Sequence, residues 1–202
     1  MTARSLIACD LDRTLIYSRR FLDAAGPGRR CVEVYEGEEI SFMTENAVAL
    51  LTDLVAKNVV IPATTRTVAQ YRRITLPGAP YRFAVTSNGG TILVDGMPDQ
   101  EWAAAVEARV RADGVPLAEI LTALRSRATD RWVRKERVAE GLFCYLVVDE
   151  TAVPTEFVPE WRAWCEPRGW QVSQQGRKIY TVPRTLCKSR AVDEVRRRLV
   201  GS

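Results

Sequence analysis

The chain has 202 residues, 47% of them hydrophobic, with 29 Lys and Arg against 25 Asp and Glu, a net charge of +4. That is enough chain to bury a sizeable core, and the charge is too mild and too spread to point by itself to nucleic acid. It contains no histidine, which excludes Ser-His and Cys-His nucleophile pairs and histidine-liganded zinc, so hydrolytic chemistry would rest on carboxylates, hydroxyls, lysine and a hard cation.

Ser5 to Cys9 is a short apolar run that predicts a central strand buried on both faces. It leads into Asp10-Leu11-Asp12-Arg13-Thr14-Leu15, two carboxylates at the carboxyl end of a strand, where open α/β sheets bind ligands. A breaker-rich stretch with Gly26, Pro27 and Gly28 follows, then Cys31 to Tyr35 and Glu39 to Phe42 flank Glu36-Gly37 as a small hairpin. Thr44, Glu45 and the series Val48, Leu51, Leu54, Val55 predict a capped amphipathic helix. Val59 to Ala63 reads as a second strand ending at Thr64-Thr65-Arg66-Thr67, with a helix from Val68 to Ile74. Phe83 to Val85 reads as a third strand, ending at Thr86-Ser87-Asn88-Gly89-Gly90. Three strand-loop-helix units in succession predict a parallel sheet with right-handed crossovers.

The character changes after about Val94. Helices are expected over Glu101 to Ala112, Leu117 to Leu124 and Pro159 to Glu166, and strands over Leu142 to Val148, Gln171 to Val172 and Lys178 to Val182. Lys188 to Leu199 is again helical. The expected architecture is α/β: a Rossmann-like parallel sheet core over 1–92, an inserted α+β cap domain over 93–180, and the core resuming over 181–202. Trp161, Trp164 and Trp170 are assigned to the core of the insert. The run Arg125, Arg127, Arg131, Trp132, Arg134, Lys135 and Arg137 has a nucleic-acid-like composition, but Asp130 and Glu136 interrupt it and it reads as a solvated surface. No nucleic-acid partner and no membrane partner are expected. The five cysteines are scattered without Cys-x-x-Cys spacing, and the amino terminus lacks a signal-peptide pattern, so a reducing, cytoplasmic location is expected.

A nucleophilic carboxylate divides phosphoester hydrolysis into two easier displacements. Asp10 is the natural candidate, with Asp12 able to protonate the leaving alkoxide and later activate water. Thr64 offers a hydroxyl to a phosphoryl oxygen, Lys188 supplies positive charge, and Mg2+ would sit among carboxylates, phosphate oxygen and water. Taken singly, each has a plainer reading. Thr64 and Thr65 end a strand and cap a helix, Lys188 is a solvated lysine, and Asn88-Gly89 is a turn.

Their joint order resembles the haloacid dehalogenase superfamily, and within it the branch of Cof-type and sucrose-phosphatase-like hydrolases. Asp10-Leu11-Asp12-Arg13-Thr14-Leu15 is similar to the first motif, with Arg13 where glycine is usual. Ala63-Thr64-Thr65-Arg66 resembles the second, with Thr65 in a glycine position. Ser87-Asn88-Gly89 and Cys187-Lys188-Ser189-Arg190-Ala191 resemble the segments before and after the cap. The resemblance implies a magnesium-dependent phosphatase of a small phosphorylated metabolite, with sugar phosphates among the candidates. Asp10 would be the nucleophile, Asp12 the acid/base, both metal ligands; Thr64 and Lys188 would hold phosphate, and Thr65, Arg66, Asn88 and Gly89 would face substrate. The family's fourth, acidic motif does not follow the lysine helix, and Asp193 and Glu194 lie inside the helical pattern. The expectation is therefore a truncated version of a longer phosphatase, with the Asp10 strand at a sheet edge. The alternative is a non-catalytic binding module.

Overall fold

Turn chemistry and strand periodicity shape the first part of the chain. The computed structural model describes residues 5–21 and 28–200. In it β1 (Leu6–Cys9) and the two-residue β2 (Tyr17–Ser18) precede a hairpin of β3 (Arg29–Tyr35) and β4 (Glu38–Thr44). β4 lies between β2 and β3, antiparallel to both. Glu36 and Gly37 both take positive φ, 53° and 82°, which is what a tight hairpin turn of matching twist requires. The breakers Gly26 and Pro27 lie outside the described residues.

Thr44 ends the hairpin and caps α1 (Glu45–Lys57), its hydroxyl accepting the Ala47 N–H at 3.2 Å, and the helix buries Val48 and Leu51. β5 (Val59–Pro62) pairs in parallel with β1, from Leu6 opposite Val59 to Cys9 opposite Pro62. α2 (Val68–Tyr71) is a single turn with a Thr67–Gln70 capping box. The helix expected to reach Ile74 stops at Tyr71 because the next residues are taken by β3: Ile74 bridges Glu33, and the Thr75 N–H donates to the Val32 carbonyl at 2.7 Å. β6 (Phe83–Thr86) joins β5 through a parallel bridge between Val85 and Ala63.

Two expectations change here. The third strand is not followed by a helix; β6, β7 (Thr91–Val94) and β8 (Met97–Pro98) form an antiparallel meander. Nor is β1 buried on both faces. Among the described residues β5 is its one strand neighbour, and Ala8 is exposed.

The chain divides into two compact units, one running to Trp102 and resuming at Lys188, the other spanning Ala103–Cys187. α3 (Gln100–Asp113) begins in the first. The second contains α4 (Leu117–Arg125), β9 (Val133–Ala139), β10 (Phe143–Val148), α5 (Phe157–Cys165), β11 (Trp170–Gln175) and β12 (Lys178–Pro183). Its sheet is antiparallel, in the order β11-β12-β10-β9. Trp161 and Trp170 are buried, and the Trp161 indole N–H donates to Thr181 Oγ1 at 2.8 Å. Trp164 is only half-buried; it stacks on Trp161 with ring centroids 5.0 Å apart. The basic run contains β9, an edge strand whose charges discourage further pairing. Arg125 pairs with Glu136 and Arg134 with Asp149, while Trp132 is buried. No described helix is long and apolar enough to cross a membrane. All five cysteines are free.

α6 (Lys188–Val200) returns to the first unit, burying Ala191 and Val195. Asp99 ties it in: one carboxylate oxygen accepts the Trp102 N–H at 2.7 Å, capping the start of α3, and the other pairs with Arg198. The Arg198 hydrogen bond holds the Asp99 carboxyl below the usual range. Asp99→Ala is expected to destabilise the protein by about 1–2 kcal/mol at neutral pH in urea unfolding. A depressed carboxyl stabilises above its ordinary pKa and ceases to do so as pH falls through its folded value. The gap between variant and parent should therefore narrow below about pH 4.

Candidate active site

The site is built where three strands end side by side. β1 runs out at Cys9 into Asp10, and β5 into Ala63 and Thr64; the Ala63 N–H donates to the Cys9 carbonyl at 2.8 Å and the Thr64 N–H to Val85 at 2.8 Å. These bonds place the segments carrying Asp10, Thr64 and Ser87 next to one another at the carboxyl edge of the sheet.

Asp10 is about half-exposed. Its Oδ1 accepts the Leu11 N–H at 2.7 Å and faces Lys188 Nζ at 2.8 Å. Lys188 is the first residue of α6, so the helix that closes the unit delivers a cation to the end of β1. The loop after Asp10 is tight: the N–H groups of Thr14, Leu15 and Ile16 all point to the Leu11 carbonyl, at 3.2, 3.0 and 2.9 Å. That turn needs positive φ at residue 13, where Arg13 has 61°. A side chain there costs about 1–2 kcal/mol relative to the right-handed region, which accounts for the glycine of the resembling motif. The Arg13 guanidinium lies 5.2 Å over the Phe21 ring.

Asp12 is paired with Arg66 by a two-pronged contact, Nε to Oδ2 at 3.0 Å and Nη2 to Oδ1 at 2.9 Å. The remaining Arg66 edge reaches Glu33 Oε2 through Nη1 at 2.6 Å. Burial works to lower the Arg66 pKa, but hydrogen bonding and charge attraction from Asp12 and Glu33 outweigh it and hold the pKa raised. Thr64 is fully buried, and its hydroxyl accepts the Arg66 N–H at 3.1 Å. Thr65 is partly buried in the same bend.

Ser87, Asn88 and Gly89 take positive φ in succession, 51°, 58° and 94°. This turn is fastened to the second segment: Ser87 N–H donates to the Arg66 carbonyl at 2.7 Å and Asn88 N–H to Thr64 at 3.0 Å. The Trp102 indole N–H reaches the Gly89 carbonyl at 3.0 Å. The structure thus brings Asp10 to Lys188, Asp12 to Arg66, and the Asn88-Gly89 turn to Thr64.

Sequence reasoning missed Glu33, Ser41 and Arg73. Glu33 sits between two valines in β3 and reads as an outward residue of a half-buried strand, so periodicity conceals it.

Two carboxylates separated by one residue suit a small hard cation, which is commonly held by one or two carboxylates with phosphate oxygens and water completing the shell. Among the described residues no group of three or more Asp, Glu, Cys or His could hold a metal. The carboxylates such a cation would meet at this strand end are Asp10, which faces Lys188 through Oδ1, and Asp12, whose two oxygens both accept from Arg66.

The chain shares its fold with solved proteins of low sequence identity. It is similar to the sucrose-phosphatase of Synechocystis solved with sucrose and phosphate, at 16% identity and a TM-score of 0.63 over 98% of this chain and 72% of that one. A Thermoplasma acidophilum protein is similar at 15% identity and 0.56, covering 98% and 72%. A trehalose-6-phosphate phosphatase related protein is similar at 16% and 0.52, covering 95% and 73%. No protein-family model matches the sequence, and no curated protein matches it.

Proposed function

We propose that the protein is a magnesium-dependent phosphatase of a small phosphorylated metabolite, with sugar phosphates the favoured class, working in a reducing, cytoplasmic setting. The observation that supports it most is the pair of contacts at one strand end: Lys188 on Asp10 and Arg66 on Asp12, in a fold shared with sucrose-phosphatase. In this reading Ala103–Cys187 is the cap that selects the leaving group.

Asp10 attacks phosphorus through Oδ2, since Oδ1 accepts the Leu11 N–H and faces Lys188. The bond from phosphorus to the leaving oxygen breaks and an aspartyl-phosphate forms; Asp12, carrying the proton taken from water in the preceding turnover and with one of its two Arg66 contacts released, gives that proton to the departing alkoxide. Asp12 then takes a proton from water as that water attacks phosphorus, releasing inorganic phosphate and restoring Asp10. Lys188 offsets the repulsion between carboxylate and phosphoryl group. Thr64 holds a phosphoryl oxygen together with Lys188, and Thr65, Arg66, Asn88 and Gly89 shape the substrate side. Mg2+ held by Asp10 and Asp12 would supply further neutralisation of the transferring group.

The test is phosphate release from p-nitrophenyl phosphate, then from a panel of sugar phosphates. Hydrolysis is expected with Mg2+, lost on adding EDTA and regained with excess Mg2+. No hydrolysis of any panel member at any Mg2+ concentration would favour the non-catalytic binding module.

A further inference from the structure

Glu33 is a carboxylate whose side chain has 0% exposure, in a strand that by simple alternation would turn it to solvent. β3 breaks alternation at this point: Val32 and Glu33 are consecutive and both buried, at 3% and 1%. The cause is an irregularity in the pairing with β4. Cys31 lies opposite Phe42, but Glu33 lies opposite Ser41, so Val32 is an extra residue, and the register shifts again before Val34. Bulges of this kind re-aim a side chain and bend the strand that carries them. Here the bulge sends a carboxylate inward.

The carboxylate meets a complete set of donors. Ser41 Oγ donates to Oε2 at 2.5 Å and Arg66 Nη1 to the same oxygen at 2.6 Å, while Arg73 Nε donates to Oε1 at 3.1 Å. Arg73 is itself stacked on the Tyr35 ring at 4.4 Å. Two guanidinium groups face two carboxylates, Glu33 and Asp12, so the cluster is neutral in sum. A buried acid without such partners would cost several kcal/mol. Its cations come from the two segments flanking α2, one of which reaches Asp12.

We propose that Glu33 is a positioning residue: it fixes the Arg66 guanidinium and, through it, the Asp12 carboxylate in the orientation the reaction uses. The inference rests on the reading of Asp10 and Asp12 as the reacting pair. Arg66 is planar, with its donors in a fixed fork. Glu33 anchors one edge and Asp12 receives the other two N–H groups, so the plane of the guanidinium sets the plane of the acid. Displacements of about 1 Å at a reacting group can cost about a hundredfold in rate.

The experiment uses Glu33→Gln, which preserves shape and removes the charge. With p-nitrophenyl phosphate we expect kcat per folded protein to fall about 10–100-fold and KM to change less than about threefold. In an Arg66→Ala background the same substitution should change kcat less than about twofold, because the residue it acts through is gone. A purely structural role would lower the folded fraction in both backgrounds and leave kcat per folded protein unchanged, and that result overturns the proposal. Ser41→Ala, which removes a single donor, should lower kcat in the same direction where Glu33→Gln does not fold, and an unchanged kcat there overturns it too. A second readout needs no turnover: 15N NMR of the Arg66 side chain, assigned by its loss in Arg66→Ala. Slow guanidinium rotation is expected in the parent and faster rotation in Glu33→Gln or Ser41→Ala; an unchanged pattern overturns the positioning role. Absence of hydrolysis by the parent protein instead overturns the phosphatase reading.

Discussion

Asp10→Asn should reduce phosphate release by at least about a thousandfold while leaving the protein folded. Asparagine has the same shape, and its carbonyl oxygen can still accept the Leu11 N–H that Asp10 accepts at 2.7 Å. What it loses is the anionic oxygen that attacks phosphorus and the charge partner of Lys188. That ion pair is partly solvated, with Asp10 about half-exposed, so its loss should shift stability by less than about 1 kcal/mol. Lys188→Met should leave the nucleophile in place and uncompensated, lowering kcat by about a hundredfold, less than the Asp10 change. Initial rates and thermal unfolding measured on the same preparations separate chemistry from folding. If Asp10→Asn kept a tenth of the parental rate, Asp10 would not be the nucleophile.

The largest stability effect is expected at Gly169, in the Ala103–Cys187 unit. It ends a single 3-10 turn, Glu166–Arg168, with φ of 79°. A Cβ there would lie 2.1 Å from the Asp113 carbonyl oxygen and 2.8 Å from Gly114 Cα, distances at which backbone must move. The same approach places the Val115 N–H on the Arg168 carbonyl at 3.1 Å and the buried Trp170 indole on the Val115 carbonyl at 2.9 Å. Gly169→Ala combines left-handed strain with overpacking, and about 2–5 kcal/mol of destabilisation is expected. Gly141→Ala is the control: its φ of 71° is similar, but nothing lies within 4 Å of an added Cβ. Its cost should be strain alone, about 1–2 kcal/mol. Urea unfolding followed by tryptophan fluorescence compares the two, and equal midpoints would show that the backbone contact at Gly169 relaxes freely.

How far the fold can be read from the chain depends on whether local chemistry and tertiary contacts agree. At α1 they agree, since Thr44 caps and Val48 and Leu51 face inward as their spacing implies. At the Glu36-Gly37 hairpin they agree again. α2 ends early because β3 captures Ile74 and Thr75, contacts no local pattern announces. β9 is hidden because edge strands tolerate the charges that make a segment resemble a solvated loop. The meander after β6 is hidden because the turn signal at Asn88-Gly89 does not tell a reversal into an antiparallel partner from a loop that leads into a helix. The carboxylates, Thr64 and Lys188 were legible because their residue types and order carry chemistry. Glu33 was not, because its role depends on one extra residue in a strand.

That extra residue makes the alignment of β3 with β4 a variable of the site as well as of the sheet. The pairing has the same register on either side of Glu33, Cys31 with Phe42 and Val34 with Glu39, so a deletion at Val32 would leave the second shift uncompensated and move the rest of β3 by one place against β4, although every side chain named in the site would still be present. Insertions at the Gly37 tip, where an added Cβ meets nothing within 4 Å, would leave that alignment untouched. The hairpin thus has one end open to length variation and one end where a single-residue slip disconnects Asp12 from its support.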